Sequence, residues 1–119
     1  MRTIQVTGEL NGLGDSVLSI MESNLNNPGM WKKLKKIKGS LVATERDTSI
    51  SITIFFEKGN IRLQSDKIRN PSASVKTDFD TLAAYSSGEL NPIVGVLMGK
   101  ISVRGNLIKL LKMVTIFRV

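Results

Sequence analysis

The stretch from Asp80 to Lys112 is divided at short intervals by residues that begin or end helices, which restricts it to a series of short elements. Asp78 or Asp80 begins a first helix, and Gly88 ends it, because glycine readily adopts the positive φ that commonly follows a helix C-terminus. Asn91-Pro92 then supplies a cap followed by proline at the first helical position. The pattern predicts two short helices in succession.

A strand and an apolar helix are predicted to follow. Gly99 ends the second helix, and residues 100–104 alternate polar and apolar side chains, which is typical of a half-buried strand. Gly105-Asn106 breaks this strand and caps a final helix, in which Lys or Thr occupies every third position from Lys109 to Thr115. The apolar residues of that helix are Leu107, Ile108, Leu110, Leu111, Met113, Val114, Ile116 and Phe117. Because a surface helix needs an apolar stripe only about 100° wide, the excess must contact further core, a partner, a membrane or a ligand.

The order of these elements and the residues that join them resemble the sterol carrier protein type 2 domain family. The resemblance is carried by the S-S-G-E-L-N-P turn, the M-G-K after the second helix, the R-G-N after the strand, and L-I-K-L-L-K. It is close over Thr77 to Lys112, and the elements before this stretch agree with the family in their order. It implies that the sheet and the final helices enclose an apolar tunnel for a fatty acyl chain, a phospholipid or a sterol. Lipid transfer or presentation is then the activity, without catalysis and without a cofactor.

The resemblance also implies which residues line this tunnel. The positions that match the family's pattern are Leu82, Tyr85, Leu90, Ile93, Val96, Leu97, Met98, Ile101, Val103, Leu107, Leu110, Leu111 and Val114. Each also fits plain core, because burial in a core and contact with a lipid tail have the same physical origin. The region has few aromatic residues and lacks the glutamine-rich sequence that tends to follow it in sterol-binding members. We therefore expect fatty acyl or isoprenoid ligands rather than a rigid sterol.

The first half of the chain predicts two helices and four strands. Apolar residues recur at helical spacing from Leu10 to Met21 around the capping candidates Asp15 and Ser16, and Pro28 begins a short second helix. The predicted strands cover residues 41–44, 49–57, 60–65 and 72–77. We expect them to form an antiparallel meander with one solvent-exposed face. With the strand at Ile101 they make a five-stranded, mostly antiparallel sheet with helices on its apolar face, an α+β arrangement.

Length and composition bound the domain count and the chemistry. The 119 residues predict one domain, residues 1–119, that buries roughly two thirds of the surface its unfolded chain exposes. The chain has no His and no Cys, which removes the commonest general base, the thiolate nucleophile and most transition-metal sites. Asp78 and Asp80 fit helix capping better than acid–base catalysis. We therefore expect neither an enzyme nor a metal site.

Lysines are concentrated at the second predicted helix, in a chain of net charge +7 and pI near 10.0. Three interpretations are open: a solvated helix face, attraction to anionic lipid headgroups, and nucleic-acid binding. For the headgroup interpretation, Lys32, Lys35 and Lys36 share one flank of the helix, and Trp31 and Met30 insert into the interface. Only charge favours nucleic acid, so we expect no nucleic-acid partner.

Two functions remain open, a free lipid carrier and an interaction module that docks on a lipid-using enzyme or a membrane. The chain has no apolar run near the roughly 18 residues of a membrane span, and its first residues lack the apolar segment of a secretory signal. We expect a monomeric, cytoplasmic protein with a lipid ligand and transient contact with anionic membranes.

Overall fold

The computed structural model describes residues 4–25 and 27–114, and within them six strands and five helices. In chain order these are β1 (Ile4–Thr7), α1 (Gly12–Leu25), α2 (Pro28–Leu34), β2 (Lys38–Glu45), β3 (Ser51–Glu57), β4 (Asn60–Ser65), β5 (Ala73–Thr77), α3 (Phe79–Ser86), α4 (Pro92–Leu97), β6 (Ser102–Gly105) and α5 (Leu107–Val114). The α+β class is confirmed. The predicted helical residues Thr115, Ile116 and Phe117 lie outside the described residues.

The strands form one mixed sheet in the order β1-β4-β3-β2-β5-β6. β2, β3 and β4 are antiparallel neighbours, as in the predicted meander, but β5 runs parallel to β2 and β1 runs parallel to β4. The sheet thus has six strands rather than the predicted five, and the meander is wrong for β5. The four residues of β1 lie at the sheet edge and are mostly exposed, and the strand is held by parallel pairing with β4 and by Ile4, which packs against the core.

The second face of the sheet is partly covered by the connection from β4 to β5. Residues 66–72 pass the two strands that lie between β4 and β5 in the sheet. Thr53, in the middle of β3, is fully buried and donates a hydrogen bond from its hydroxyl to the carbonyl oxygen of Asp66 over 2.7 Å. Ser51 is buried as well. The face of β3 that we expected to be solvent-exposed is therefore covered at these two residues.

The main core lies between the helices and the other face of the sheet. Alternate residues of β3, Ile52, Ile54 and Phe56, are buried on this face, as their spacing predicts. Helices α1, α2 and α5 cover them with buried side chains that include Met21, Leu34 and Met113. The five helices thus share one side of the sheet with the core, and the last three also enclose the candidate site.

Side-chain caps fix where the helices begin. Asp78 accepts a hydrogen bond from the Thr81 amide (2.7 Å), Asn91 from the Ile93 amide (2.9 Å) and Asn106 from the Lys109 amide (3.0 Å). α1 begins earlier than predicted, because Asn11 rather than Asp15 or Ser16 accepts from a first-turn amide, that of Gly14. Gly88 and Gly99 follow α3 and α4 at positive φ, 83° and 74°, as their positions predict.

Candidate functional site

An apolar cavity of about 270 Å³ lies between α3, α4, α5 and the ends of β2, β5 and β6. Leu13 and Val17 of α1 contribute to its wall. The atoms that face it are almost all carbon. A cavity of this composition offers water few hydrogen-bond partners and suits a hydrocarbon occupant.

Most of the side chains predicted from the resemblance lie around this one cavity. Those that line it are Leu82, Tyr85, Ile93, Val96, Leu97, Ile101, Val103, Leu107, Leu110, Leu111 and Val114. Leu90 lies outside the lining and is half-buried next to Gly95 of α4, where a Cβ on the glycine would stand 3.3 Å from the Cδ2 atom of Leu90. Met98 also lies outside the lining and is exposed. Residues from α3, α4, β6 and α5 therefore surround the same cavity.

Further lining residues come from parts of the chain that the resemblance did not indicate. They are Leu13, Val17, Ala43, Thr44, Glu45, Val75, Thr77, Asp78, Phe79 and Thr81. Helical spacing marked Leu13 and Val17 as an inward face, and strand alternation marked residues 72–77, but neither pattern separates cavity from core. A charged residue at the end of a strand, such as Glu45, normally indicates a turn, so no sequence signal pointed to it.

The cavity wall is braced by contacts within α3, α4 and α5. The hydroxyl of Tyr85 in α3 donates a hydrogen bond to the carbonyl oxygen of Val114 in α5 over 2.7 Å. Leu110 and Met113 anchor α5 in the core. In α4, a Cβ on Gly95 would stand 2.6 Å from the Cδ1 atom of Ile101. Because Gly95 has no side chain, α4 can lie close to the residue that precedes β6.

Two of the walls also face solvent. The exposed apolar residues of α4, of the residue after it and of α5 include Ile93, Leu97, Met98, Leu107, Ile108 and Leu111, here called the apolar rim. Leu97 is 81% and Ile108 is 71% exposed, although both lie in largely apolar helices. Several rim residues line the cavity with one part of the side chain and leave another part in solvent. The rim therefore lies where the cavity lining meets solvent.

Glu45, at the end of β2, is a buried carboxylate in the cavity wall, 2% exposed. Its Oε1 atom accepts three hydrogen bonds, from the Thr48 amide (2.9 Å), the Thr48 hydroxyl (3.0 Å) and the Asp47 amide (3.1 Å). Its Oε2 atom has no hydrogen-bond partner among the described residues. Burial raises the pKa of Glu45, but the hydrogen bonds from Thr48 and Asp47 lower it further, so the net pKa is below the ordinary value.

Asp78 is a second carboxylate in this wall, at the start of α3. Hydrogen bonds from Thr81 lower its pKa, which the nearby Arg46 guanidinium lowers further. Arg46 in turn donates to the carbonyl oxygens of Gly99 (3.3 Å) and Lys100 (3.0 Å). This links the end of β2 to the segment between α4 and β6. The negative charge of Asp78 raises the pKa of Glu45, although the net pKa of Glu45 stays below its ordinary value.

The lysine-rich helix α2 contributes no residue to the cavity lining. Lys32, Lys35 and Lys36 are exposed, while Met30 is buried, so the headgroup interpretation does not extend to Met30. The ring of Trp31 lies against the turn between β3 and β4, where a Cβ on Gly59 would stand 2.7 Å from its Cη2 atom. α2 precedes β2, whose other end carries Glu45, and the eight residues of this strand span roughly 23 Å.

Two kinds of feature are missing from the part of the chain that the structure describes. Residues 4–25 and 27–114 contain no group of three or more His, Cys, Asp or Glu side chains arranged to hold a metal ion. Within the same ranges, no helix has the length and apolar character needed to cross a bilayer.

Solved structures with the same fold include proteins of several kinds. A protein described as the UbiJ-SCP2 ubiquinone synthesis protein is 12% identical over 88% of this chain and 92% of its own, with a TM-score of 0.72. The sterol carrier protein domain 2 of Helicoverpa armigera is 19% identical over 95% of this chain and 98% of its own, with a TM-score of 0.67. The sec-alkylsulfatase Pisa1 of Pseudomonas sp. matches 73% of this chain at 16% identity and a TM-score of 0.65, with only 14% of its own length.

A search of curated proteins finds no significant match. A family model described as the SCP-2 sterol transfer family matches residues 19–118, which include every element from the second half of α1 onward. The chain therefore belongs to the SCP-2 sterol transfer family, whose domains are generally lipid carriers.

Proposed function

We propose that this protein binds the tail of a single-chain lipid, fatty acyl or isoprenoid, in the cavity between α3, α4 and α5 and carries it without chemical change. The observation that carries the proposal is the nearly complete hydrocarbon lining of that cavity. An alkyl tail transferred from water into such a site gains roughly 0.8 kcal/mol for each buried methylene.

The size of the cavity supports a single tail. Its volume of about 270 Å³ lies just below the range of roughly 300–1,000 Å³ that is usual for small-molecule sites. A flexible chain fits a narrow cavity lined by Leu, Ile and Val better than a rigid ring system or two chains do. Ubiquinone has an isoprenoid tail, and the shared fold with a ubiquinone synthesis protein supports including isoprenoids among the candidates.

The route of exchange is proposed to pass through the apolar rim. Leu97 of α4 and Ile108 of α5 project into solvent beside the cavity. Lys109 and Lys112 lie in α5, and Lys100 lies between α4 and β6. Apolar side chains flanked by lysines suit the interface of an anionic bilayer. Trp31, Lys32, Lys35 and Lys36 are proposed to add attraction from a distance, because they lie at the other end of β2.

The experiment is native mass spectrometry of gently purified protein, followed by organic extraction and lipid analysis. We expect the protein to carry adducts that release single-tailed lipids on extraction. In a separate fluorescence titration, we expect added dodecanol to displace the neutral probe N-phenyl-naphthylamine. Protein that carries no lipid, binds no probe and keeps its mass when dodecanol is added contradicts the carrier.

A second candidate is an interaction module that brings lipid to a partner enzyme. It is favoured by the exposed rim and by the sulfatase, in which the matching fold is a small part of a larger enzyme. Such a module needs a partner for tight assembly, whereas a carrier holds its lipid as a monomer. Sedimentation of the purified protein with its bound lipid distinguishes them.

A further inference from the structure

Glu45, in the cavity wall, has one buried oxygen whose role the fold does not explain. The Oε1 atom of Glu45 holds the turn after β2 through its hydrogen bonds with Asp47 and Thr48, which is a complete structural role for one carboxylate oxygen. The Oε2 atom contributes nothing to that turn and has no partner among the described residues. A buried acceptor without a donor costs stability, more so when it belongs to a charged group.

The carboxylate form makes this cost larger. Although burial acts against it, the hydrogen bonds to Oε1 keep the pKa of Glu45 below its ordinary value, so the group is ionised near neutral pH. The wall around it offers no compensation, because the described lining residues include a second carboxylate, Asp78, and no Lys or Arg. Arg46, next in sequence, directs its guanidinium to the carbonyl oxygens of Gly99 and Lys100.

We propose that the cavity selects lipids whose polar end donates a hydrogen bond, a hydroxyl or an ammonium group, to Glu45 Oε2, and that it rejects lipids that end in a carboxylate. This rests on the proposed function, since it assigns a polar end to the lipid whose tail fills the cavity. A donor at this position satisfies Oε2, whereas a carboxylate there places a third negative charge beside Glu45 and Asp78. Free fatty acids are then poor ligands, and long-chain alcohols or amines are good ones.

The overall charge of the protein predicts the opposite preference, so the order of ligand affinities distinguishes the two explanations. At a net charge of +7, long-range attraction favours anionic fatty acids and disfavours cationic amines. Only a local group such as Glu45 reverses that order. Glu45→Gln is the matched change, because the amide retains an oxygen for the Asp47 and Thr48 donors and replaces Oε2 with a donor nitrogen.

The test measures displacement of N-phenyl-naphthylamine by dodecanol, dodecylamine and dodecanoate near neutral pH, below their critical micelle concentrations. For the unmodified protein we expect dodecanol and dodecylamine to bind at least about tenfold more tightly than dodecanoate, the effect of a hydrogen bond to a charged group. In Glu45→Gln the preference should fall to less than about threefold. Glu57→Gln, an exposed change at the end of β3 with the same effect on net charge, should keep the original order.

Equal affinities in the unmodified protein, or a preference for dodecanoate, overturn the selectivity while leaving the lipid-binding function intact. A preference that survives in Glu45→Gln also overturns it, because another group is then responsible. If neither the probe nor any of the three ligands binds, the proposed function itself fails. Should Glu45→Gln not fold, as judged by its circular dichroism, the order of the three ligands on the unmodified protein still decides.

Discussion

The hydroxyl of Tyr85 lies 2.7 Å from the carbonyl oxygen of Val114, and this hydrogen bond ties α3 to the last described turn of α5 across the cavity. Both residues line the cavity, so the bond holds two of its walls at a fixed separation. Tyr85 thus supplies a hydrogen-bond donor to this carbonyl from a neighbouring helix.

Replacing Tyr85 with Phe tests this brace. The ring keeps its packing, but the carbonyl of Val114 loses a donor, so we expect the free energy of unfolding to fall by about 1 kcal/mol and probe affinity to fall by a few-fold. Chemical denaturation and probe titration measure the two effects. Tyr85→Leu, which also removes ring contacts, should cost clearly more, and a Tyr85→Phe variant as stable as the unmodified protein contradicts a role for the hydroxyl.

Filling the cavity should remove binding with little loss of stability. Val75, in β5, lines the cavity, and Val75→Phe directs a ring into the space that we assign to the lipid tail. We expect probe affinity to drop at least about tenfold, because several buried methylenes of ligand lose their place. Val6→Phe, on the exposed part of β1, is the matched control and should bind normally. Normal binding by Val75→Phe places the ligand elsewhere.

Alanine substitution at two glycines distinguishes the stability cost of a positive φ from that of a steric clash. Gly105 in β6 has φ 92°, and a Cβ there would stand 2.6 Å from the carbonyl oxygen of Ser72 and 2.9 Å from the Cα atom of Ala73. Gly88 has φ 83° with nothing within 4 Å. We expect Gly88→Ala to cost about 1 kcal/mol and Gly105→Ala to cost clearly more, because backbone atoms of β5 must move. Thermal unfolding of the two variants makes the comparison, and equal losses contradict the steric argument.

The elements around the cavity were predictable because local residues determine them. Asp78, Gly88, Asn91 and Gly99 act within one or two turns of the helices that they begin or end, so their effects can be read without knowledge of the fold. β1 is different, since it is defined by parallel pairing with β4, which is remote in sequence.

The polar end of the cavity was not predictable for a similar reason. Glu45 lies next to Asp78 only because β2 and β5 pair in parallel, with Glu45 opposite Thr77. A sequence pattern identifies each carboxylate separately, as a turn residue and as a helix cap. Their common position in the wall of an apolar cavity follows from strand order, which the predicted antiparallel meander does not contain.

Acid should destabilise the protein through these two carboxylates. The folded-state pKa values of Glu45 and Asp78 are lowered from ordinary values of 4.5 and 3.8. Groups of this kind contribute stability that is fully present above their unfolded-state pKa and is lost as the pH falls through the folded-state value. We expect stability to decline below about pH 4.5 and to decline less steeply in Asp78→Asn, since asparagine caps a helix equally well and does not titrate. Denaturation midpoints across the acid range measure this, with Glu57→Gln as the exposed control, and an unchanged slope in Asp78→Asn contradicts it.

The side of the molecule that meets a membrane can be identified by comparing two sets of exposed residues. Met98 and Ile108 belong to the apolar rim but lie outside the cavity lining, so changing both to Gln leaves the lipid site intact. We expect this double variant to bind neutral and anionic vesicles several-fold more weakly and to transfer lipid more slowly, because rim contact is apolar. Changing Lys32, Lys35 and Lys36 to Gln should weaken only the binding to anionic vesicles, and added salt should remove the difference. Vesicle co-sedimentation with both lipid compositions separates the two effects. If the lysine variant loses binding to both vesicle types while the rim variant is unaffected, the lysine-rich helix rather than the cavity side is the membrane contact.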